Sequence, residues 1–180
     1  MALETSQIHN SLTEKFEYAV SDFNQVHDIL TFEVASDSIL EVMAFLKEDK
    51  ILRFNFLTDL CGIHYPDAST DRQFAVVYHM HNWIDNVRIR IKCFLPADNP
   101  EIDTVTSLFA GANWQERETY DFYGIIFKGH PQLKRILNMD EMTSFPMRKE
   151  FPLEDGGRTD KDDRFFGRTT DNASNIAEKQ

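Results

Sequence analysis

The residues whose types and spacing could carry chemistry are densest between positions 114 and 123. Both signs of charge alternate there with large aromatic side chains: Trp114, Glu116, Arg117, Glu118, Tyr120, Asp121, Phe122 and Tyr123. Two carboxylates such as Glu116 and Glu118 could do acid–base work. Positions i and i+2 of a helix point apart, however, so this pair cannot easily converge on one substrate. Aromatic residues mixed with both charge signs are instead typical of the centre of a protein–protein interface.

The next fourteen or so positions predict a turn followed by a short helix. The turn is bounded by Gly124 and Gly129 and carries apolar Ile125, Ile126 and Phe127, and the helix would begin at His130 and Pro131 with Leu133, Ile136 and Leu137 apolar and Lys134 and Arg135 polar. Upstream of the turn, Arg117 and Asp121 are spaced i, i+4. We therefore expect these two side chains to pair on one helical face.

His79 and His81 stand two positions apart in a predicted strand, so they would share one face of a sheet. Imidazoles placed in this way can bind a metal, but no third ligand is obvious, although His64 lies in a nearby turn. We favour two histidines on a solvated strand face. A stand-alone metal-dependent enzyme that uses these histidines with a carboxylate remains an alternative.

A second row of polar residues alternates with apolar ones in the next strand. Arg88, Arg90 and Lys92 would face one side, opposite Val87, Ile89, Ile91, Cys93 and Leu95. Three cations on one face could bind an anion. We expect instead that they pair with carboxylates on neighbouring strands, because opposite charges across a sheet stabilise each other.

The motifs of several enzyme classes do not occur in the sequence. GxGxxG, GxxxxGK[ST], GxSxG and HExxH are all missing, which argues against a phosphate-binding loop, a nucleophile elbow and a zincin helix. Cys61 and Cys93 stand alone, without a CxxC, so they cannot supply a four-thiolate iron–sulfur site. Two such thiols suit a reduced interior better than a disulfide framework.

Length and charge set the broad class of protein. With 180 residues, the chain is long enough for one domain with a core of its own. The 19 basic and 30 acidic residues give 19 − 30 = −11, which argues against a general nucleic-acid binder. No apolar run approaches the roughly 20 residues of a membrane span, and residues 1–10 show no export signal. We expect a soluble, acidic, intracellular domain.

The predicted helices and strands, which must position these residues, indicate an α+β, two-layer domain with a mainly antiparallel sheet and flanking helices. The predicted helices are Ser11–Tyr18, one beginning with the capping box of Ser38 and Glu41, Asp98–Phe109, and one from the N-cap Asn113 to a stop at Gly124. The predicted strands are Asp28–Val34, Arg53–Leu60, Gln73–Trp83 and Val87–Leu95, with a turn over Gly62–Ser69. Such a sheet would have one buried and one solvated face.

The pattern changes near Asn138. Beyond this residue the apolar periodicity fades, and helix-breaking residues interrupt a charge-rich stretch: Pro146, Pro152, Gly156, Gly157 and Gly167. The sequence therefore predicts two parts. Residues 1–137 form the globular α+β domain, and residues 138–180 form an extended C-terminal tail that docks on a partner.

The ordered residues of this region resemble a known family. The residues that carry the resemblance are Trp114-Gln115-Glu116-Arg117-Glu118, Tyr120-Asp121-Phe122-Tyr123-Gly124, Phe127, Gly129-His130-Pro131, Leu133 and Arg135-Ile136-Leu137. This set, which we call the signature segment (residues 114–137), is similar to that of the 30 kDa subunit of respiratory complex I, also called the C subunit of bacterial NADH–quinone oxidoreductase. The downstream residues 146–153, PMRKEFPL, look like the same family's PLRKDFPL run, and looser similarity begins near residue 45.

The resemblance implies a non-catalytic structural subunit in the peripheral arm of a proton-translocating NADH:quinone oxidoreductase. Such a subunit would brace the large 49 kDa-type quinone-site subunit, while FMN, iron–sulfur clusters and quinone would lie on partner subunits and none on this chain. The implied partner interface comprises Trp114, Glu116, Arg117, Glu118, Tyr120, Asp121, Phe122, Tyr123, Gly124, Phe127, Gly129, His130, Pro131, Arg135, Arg148 and Lys149.

The resemblance also implies a location and leaves an alternative complex open. A protein of this kind would sit peripherally at the cytoplasmic face of the bacterial inner membrane, held there by its partners. The equivalent subunit of a membrane-bound hydrogenase-type complex is the alternative within the same class. Two departures from the family pattern are visible: Met147 replaces the usual Leu, and the residues after Leu153 differ from the family's common continuation.

Overall fold

The computed structural model describes residues 3–151, in which three helices and seven strands are present. Numbered along the chain, they are α1 (Thr5–Phe16), β1 (Val20–Val26), β2 (Ile29–Val34), α2 (Ile39–Glu48), β3 (Phe56–His64), β4 (Phe74–Asn82), β5 (Val87–Leu95), β6 (Glu101–Asp103), α3 (Ala112–Tyr123) and β7 (Ile126–Lys128). Within this part of the chain, no helix has both the length and the apolar character that crossing a membrane requires.

Five strands form one sheet in the order β1-β2-β5-β4-β3, and β6 and β7 form a separate parallel pair. Neighbours in the large sheet run antiparallel except β2 and β5, which run parallel. A parallel pair needs a crossover connection, which here contains α2, β3 and β4. The predicted α+β class with a mainly antiparallel sheet is therefore confirmed.

The side chains of β5 alternate between the two faces of the sheet, as the sequence pattern predicts. Ile89, Ile91 and Cys93 are fully buried and belong to one core with the buried residues of α1 and α2, whereas the alternate residues point away from that core. The predicted contrast between a buried and a solvated face is wrong at β4. There Ala75 and Val77 on the second face are buried as well, because β4 lies between β3 and β5.

The strand β1 has no counterpart among the predicted elements. Its pairing with β2 shifts register between Ser21 and Asn24, so a bulge breaks the alternation that would reveal a strand. The turn between the two strands contains His27 and Asp28, with φ angles of 50° and 63°. Positive φ at both central residues matches the right-handed twist of a hairpin.

Two predicted boundaries and one predicted helix cap differ from the observed ones. The helix α1 begins at Thr5 rather than Ser11, with the reciprocal bonds of a capping box between Glu4 and Gln7. The capping box predicted at Ser38 is wrong, because the Ser38 hydroxyl donates to the neighbouring Asp37 carboxylate and makes no bond to the helix. The strand β3 starts and ends later than predicted, so it includes Gly62.

The helix predicted over residues 98–109 is wrong. Residues Glu101–Asp103 instead form β6, and Ile102 is paired with Phe127 of β7 and is nearly fully buried. The backbone N–H of Ile126 also donates to the carbonyl of Pro100 (2.9 Å). This pairing joins residues about 25 positions apart in the sequence, so local helical periodicity could not reveal it.

Gly62 allows α3 to lie close against β3. A Cβ atom at this position would lie 2.6 Å from Cδ2 of Tyr123 and 2.9 Å from Cγ2 of Thr119. We expect Gly62→Ala to lower the free energy of unfolding by about 1–3 kcal/mol, as overpacking does, measured by urea denaturation. The matched control is Gly111→Ala, because a Cβ there would have no atom of residues 3–151 within 4 Å beyond its own chain neighbours. Equal stability of the two variants would contradict this packing role.

The predicted tail lies partly within the described residues. Residues 138–151 contain no helix or strand and return to the sheet, where the backbone N–H of Lys149 donates to Nδ1 of His64 (2.9 Å). Residues 152–180 lie outside the described residues. The division of the chain between residues 137 and 138, and the partner-docking role of the tail, stay predictions.

Candidate partner interface around helix α3

The helix α3 carries the first half of the signature segment. It begins at Ala112 after the N-cap Gly111, so the predicted N-cap Asn113 lies inside the first turn. It ends where Gly124 adopts a left-handed conformation (φ 74°) and donates its N–H to the carbonyl of Tyr120 (2.8 Å). Gly124 therefore stops the helix as predicted, since glycine adopts positive φ without steric cost.

Glu116 lies on the buried side of α3, and its side chain is fully buried. One oxygen accepts from the Thr104 hydroxyl, and the other accepts from the backbone N–H of Val105 (2.8 Å). No Lys or Arg of the described residues pairs with it, and Nε2 of His130 lies 4.0 Å away. Burial raises the pKa of Glu116 to about 7, although the two hydrogen bonds oppose that shift. This side chain therefore exchanges a proton near neutral pH.

His130 holds the loop after β7 against the start of α3. Its buried ring donates from Nε2 to the carbonyl of Asn113 (3.1 Å), and its Nδ1 accepts from the backbone N–H of Gln132 (3.0 Å). With one nitrogen donating and the other accepting, the ring is neutral. The short helix predicted from His130 is wrong: residues 129–138 form an irregular loop, because backbone groups that a helix would use internally bond to α3 instead.

Asp121 is the most heavily hydrogen-bonded side chain of the signature segment. It is fully buried, and one oxygen accepts three consecutive backbone N–H groups, from Ile136 (3.1 Å), Leu137 (2.8 Å) and Asn138 (2.9 Å). The other oxygen accepts from Arg135 (2.7 Å) and from the Asn138 amide. Burial alone would raise the pKa of Asp121, but these hydrogen bonds outweigh it and hold the pKa well below its usual range.

Two arginines complete the same network. Arg117 donates from Nε to the carbonyl of Lys134 (3.1 Å) and from Nη2 to the carbonyl of Arg135 (3.0 Å). Arg135 donates from Nη1 to Asp121 and from Nη2 to the carbonyls of Met142 and Ser144. The pair predicted between Arg117 and Asp121 is therefore wrong, because both side chains bond to the loop. Together they fix the course of residues 134–144.

Arg148 anchors the downstream residues to the end of α3. Its Nε donates to the carbonyl of Tyr123 (2.8 Å), and its guanidinium lies 4.9 Å from the ring centroid of Phe74 and 4.7 Å from that of Phe145. A Cβ on Gly124 would lie 2.6 Å from the Phe145 ring, so glycine is needed there for packing as well as for its conformation. The neighbouring Lys149 contributes only its backbone to this anchor, through His64.

The predicted interface residues fall into three groups by exposure. The buried group is Glu116, Arg117, Asp121, Gly124 and Phe127, and a further group comprising Tyr120, Phe122, Tyr123, His130, Arg135 and Arg148 is partly buried. The third group is exposed, with Trp114 61% exposed, and comprises Trp114, Glu118, Gly129, Pro131 and Lys149. Phe127 packs in the hydrophobic core. Most of the charged residues of the signature segment therefore act inside the chain.

A cavity of about 250 Å³ opens beside the exposed side of α3. Its walls come from α3 and β3 and include Glu118, Phe122, Asp59 and Cys61, with Met147 at one side. Burial raises the pKa of the Cys61 thiol, and Asp59 adds to this effect, so the thiol is protonated at neutral pH. The cavity therefore presents no reactive thiolate, and its lining combines apolar rings with exposed carboxylates.

Several residues of this network could not be assigned a role from the sequence. Thr104 and Val105 bind Glu116, Asn138 binds Asp121, and Phe145 packs against Arg148. Thr104 and Val105 lie in the region predicted as a helix, and Asn138 served only to mark a boundary. The residues between 138 and 145 have no apolar period, so no local signal indicated that they touch α3.

His79 and His81 share a sheet face, but each ring is hydrogen-bonded to a different polar side chain. Nε2 of His79 accepts from Nε of Arg90 (2.8 Å), and Nε2 of His81 bonds to the Asn86 side-chain oxygen (3.0 Å). Burial lowers the pKa of His79, and Arg90 adds to this effect. Within residues 3–151, no group of three or more His, Cys, Asp or Glu side chains is arranged to hold a metal ion.

One known protein family matches most of the chain. The model of the family described as respiratory-chain NADH dehydrogenase, 30 Kd subunit, matches residues 32–156. The NADH-quinone oxidoreductase C 2 subunit of Rhizobium etli (strain CIAT 652) is 42% identical over 154 residues, which cover 85% of this chain and 80% of the relative. The NADH-quinone oxidoreductase C subunit of Roseiflexus sp. (strain RS-1) is 37% identical and covers 92% of this chain and 95% of the relative.

Solved structures agree with the sequence comparisons. The trypsin-resistant fragment (1-134) of Nqo5 is 33% identical, with a TM-score of 0.58 over 71% of this chain and 98% of the fragment. A chain of an archaeal respiratory membrane complex, the membrane-bound sulfane sulfur reductase, has the same fold (TM-score 0.69, 24% identity, 82% of this chain and 85% of that chain). On this evidence, the chain belongs to the 30 kDa subunit family of the respiratory-chain NADH dehydrogenase, the family of the NADH-quinone oxidoreductase C subunits.

Proposed function

We propose that this chain is a non-catalytic structural subunit of the peripheral arm of a proton-translocating NADH:quinone oxidoreductase. In this role it braces the large 49 kDa-type quinone-site subunit, while FMN, iron–sulfur clusters and quinone are held by partner subunits. The complex would place the chain peripherally at the cytoplasmic face of the bacterial inner membrane. The matches to named subunits of NADH-quinone oxidoreductase support this assignment of complex.

One observation carries the bracing role: charged residues of α3 and of the loop after β7 hold this loop against α3. Arg117, Asp121 and Arg135 bond to the loop backbone, and Asp121 and Arg135 also bond to each other. Trp114 and Glu118 lie on the exposed side of the same helix. A loop whose backbone groups are bound in this way keeps one conformation before it meets a partner. Preorganisation of this kind lowers the entropic cost of association.

The assignment is tested by affinity purification of the full chain from its native cells. We expect the large quinone-site subunit to be recovered with it, together with other peripheral-arm subunits. Recovery of the chain only as a free monomer would overturn the proposal. An NADH-oxidising flavin subunit in the purified complex would distinguish the NADH dehydrogenase from the alternative, a membrane-bound hydrogenase-type complex, in which that subunit is lacking.

Arg117→Ala is expected to lower the amount of assembled complex at least about tenfold, because hydrogen bonds from a charged group contribute about 1.5–3 kcal/mol. The turnover of each complex that does assemble should stay near the wild-type value. Both quantities can be measured on native gels, by immunodetection and by NADH oxidation. Arg53→Ala is the control, since Arg53 pairs with Asp85 away from α3. Normal assembly with abolished turnover would indicate a direct catalytic role instead.

A further inference from the structure

A row of three cations lies on the sheet face opposite the helices. This cationic row consists of Arg88, Arg90 and Lys92, which alternate along β5 with residues of the buried core. Arg88 is exposed, and the other two are partly exposed. The helices α1, α2 and α3 pack on the other face, because their contacts are with the core residues of the strands. The cationic row is therefore directed away from the helical layer.

The carboxylates expected to neutralise the cationic row are engaged elsewhere or too far away. Glu33 lies directly opposite Lys92 in the register of β2 and β5, but both its oxygens accept from Arg72 (2.8 and 2.9 Å). Asp59 shares this sheet face and lies in register with His79 and Arg90, but its nearest cationic neighbour is Nδ1 of His79 (3.8 Å). Arg90 lies one strand further away and donates to Nε2 of the same His79 ring (2.8 Å). Within residues 3–151, no carboxylate oxygen lies within ion-pair distance of Arg88, Arg90 or Lys92. The predicted pairing of this row is therefore wrong.

Exposed aromatic rings stand at one end of the cationic row. Phe56, His81 and Arg88 lie opposite one another across β3, β4 and β5, so they share a sheet face. Phe56 is 42% exposed and contacts Trp83, which is 63% exposed, with ring centroids 5.3 Å apart. Arg and aromatic side chains in one exposed patch are the residue types that contribute most to binding at protein interfaces.

We propose that the cationic row and the Phe56–Trp83 pair bind an acidic polypeptide segment of a partner protein. Three cations that pair with no carboxylate of residues 3–151 give this face a local positive potential, although the chain has a net charge of −11. Such a potential attracts negatively charged partners. Nucleic acid is the less suitable polyanion, because the remaining acidic surface would repel its continuous phosphate backbone. This surface is distinct from the signature segment. The inference rests on the proposed function in one respect, namely that the partner protein is another subunit of the same complex.

The first test uses a peptide probe and the full chain. We expect a synthetic twelve-residue oligoglutamate peptide to bind at low ionic strength, with binding weakened by salt as fluorescence anisotropy would report. Arg88→Glu should weaken this binding at least about fivefold. Lys50→Glu carries the same change of charge on an exposed residue in the turn after α2 and should leave binding unchanged. If Arg88→Glu and Lys50→Glu weakened peptide binding equally, the net charge of the chain would explain the effect, and the proposed site would be overturned.

The second test identifies the partner in the assembled complex. A carbodiimide joins an amine to a carboxylate only when the two are in contact, so we expect it to link Lys92 to an Asp- or Glu-rich segment of another subunit, identified by mass spectrometry. Lys92→Arg keeps the charge and should remove the link while the complex still assembles. Links from Lys92 only to its own chain, or to a second copy of it, would overturn the proposal. If the complex assembled normally but Lys92 formed no link to another subunit, this inference would be wrong while the proposed function would still stand.

Discussion

Asp121→Ala is expected to lower the free energy of unfolding by about 3–5 kcal/mol, the cost of removing one partner of a buried charge pair. The change would leave the Arg135 guanidinium, 7% exposed, without its carboxylate. It would also leave three backbone N–H groups, from Ile136 to Asn138, without their acceptor. Urea denaturation followed by circular dichroism measures the effect on the full chain.

Two further variants separate the causes of this destabilisation. Asp121→Asn keeps the shape and one acceptor oxygen but turns an amide group toward backbone donors, so it should still cost at least about 1–3 kcal/mol. Glu118→Ala removes an exposed carboxylate from the same helix and should change stability by no more than about 0.5 kcal/mol. If Asp121→Ala were as stable as Glu118→Ala, the network would not hold the loop.

The Asp121 network also predicts a loss of stability in acid. Because its pKa is lower in the folded chain than in the unfolded chain, the unfolded state binds its proton first as the pH falls. The carboxylate therefore contributes stability above its unfolded pKa of about 4, and this contribution is lost as the pH falls further. The difference in stability between wild type and Asp121→Ala should shrink below pH 4.

The second large effect concerns Glu116 and has the opposite dependence on pH. Its pKa is about 7 in the folded chain against an ordinary value of 4.5, so between these values the folded state binds more protons than the unfolded state. Stability attributable to this group is then present below about pH 4.5 and is lost as the pH rises to about 7. A shift of this size corresponds to about 3 kcal/mol.

Glu116→Gln should remove this dependence on pH. The Gln amide can donate to the Thr104 hydroxyl as the protonated carboxyl would, and Thr104 can then donate to Thr106, 3.0 Å away. We expect the variant to be about 3 kcal/mol more stable than wild type above pH 8 and equal to it near pH 4.5. Urea midpoints at both pH values measure this difference. Glu118→Gln is the control, and parallel pH profiles for wild type and Glu116→Gln would contradict the prediction.

Local patterns predicted the elements whose partners are close in the sequence. The alternation of β5, the position of β2 and the end of α3 at Gly124 follow from strand period and glycine chemistry, and the structure confirms them. The predictions that failed depend on distant pairing. Residues 98–109 have helical spacing, yet Ile102 pairs with Phe127. Residues 130–137 also have helical spacing, yet their backbone groups bond to Arg117 and Asp121.

By itself, the sequence determined the family and the α+β class, because the order of residues in the signature segment and the periodicity of the strands are properties of the linear chain. Only the tertiary structure decided which groups the charged side chains bind. Arg117 and Asp121 are spaced to pair on one helical face, but Asp121 binds residues 14–17 positions downstream. Once both are buried, a carboxylate is satisfied better by three backbone donors and a guanidinium than by one neighbouring cation. Such partners depend on how the chain folds back, which local spacing does not encode.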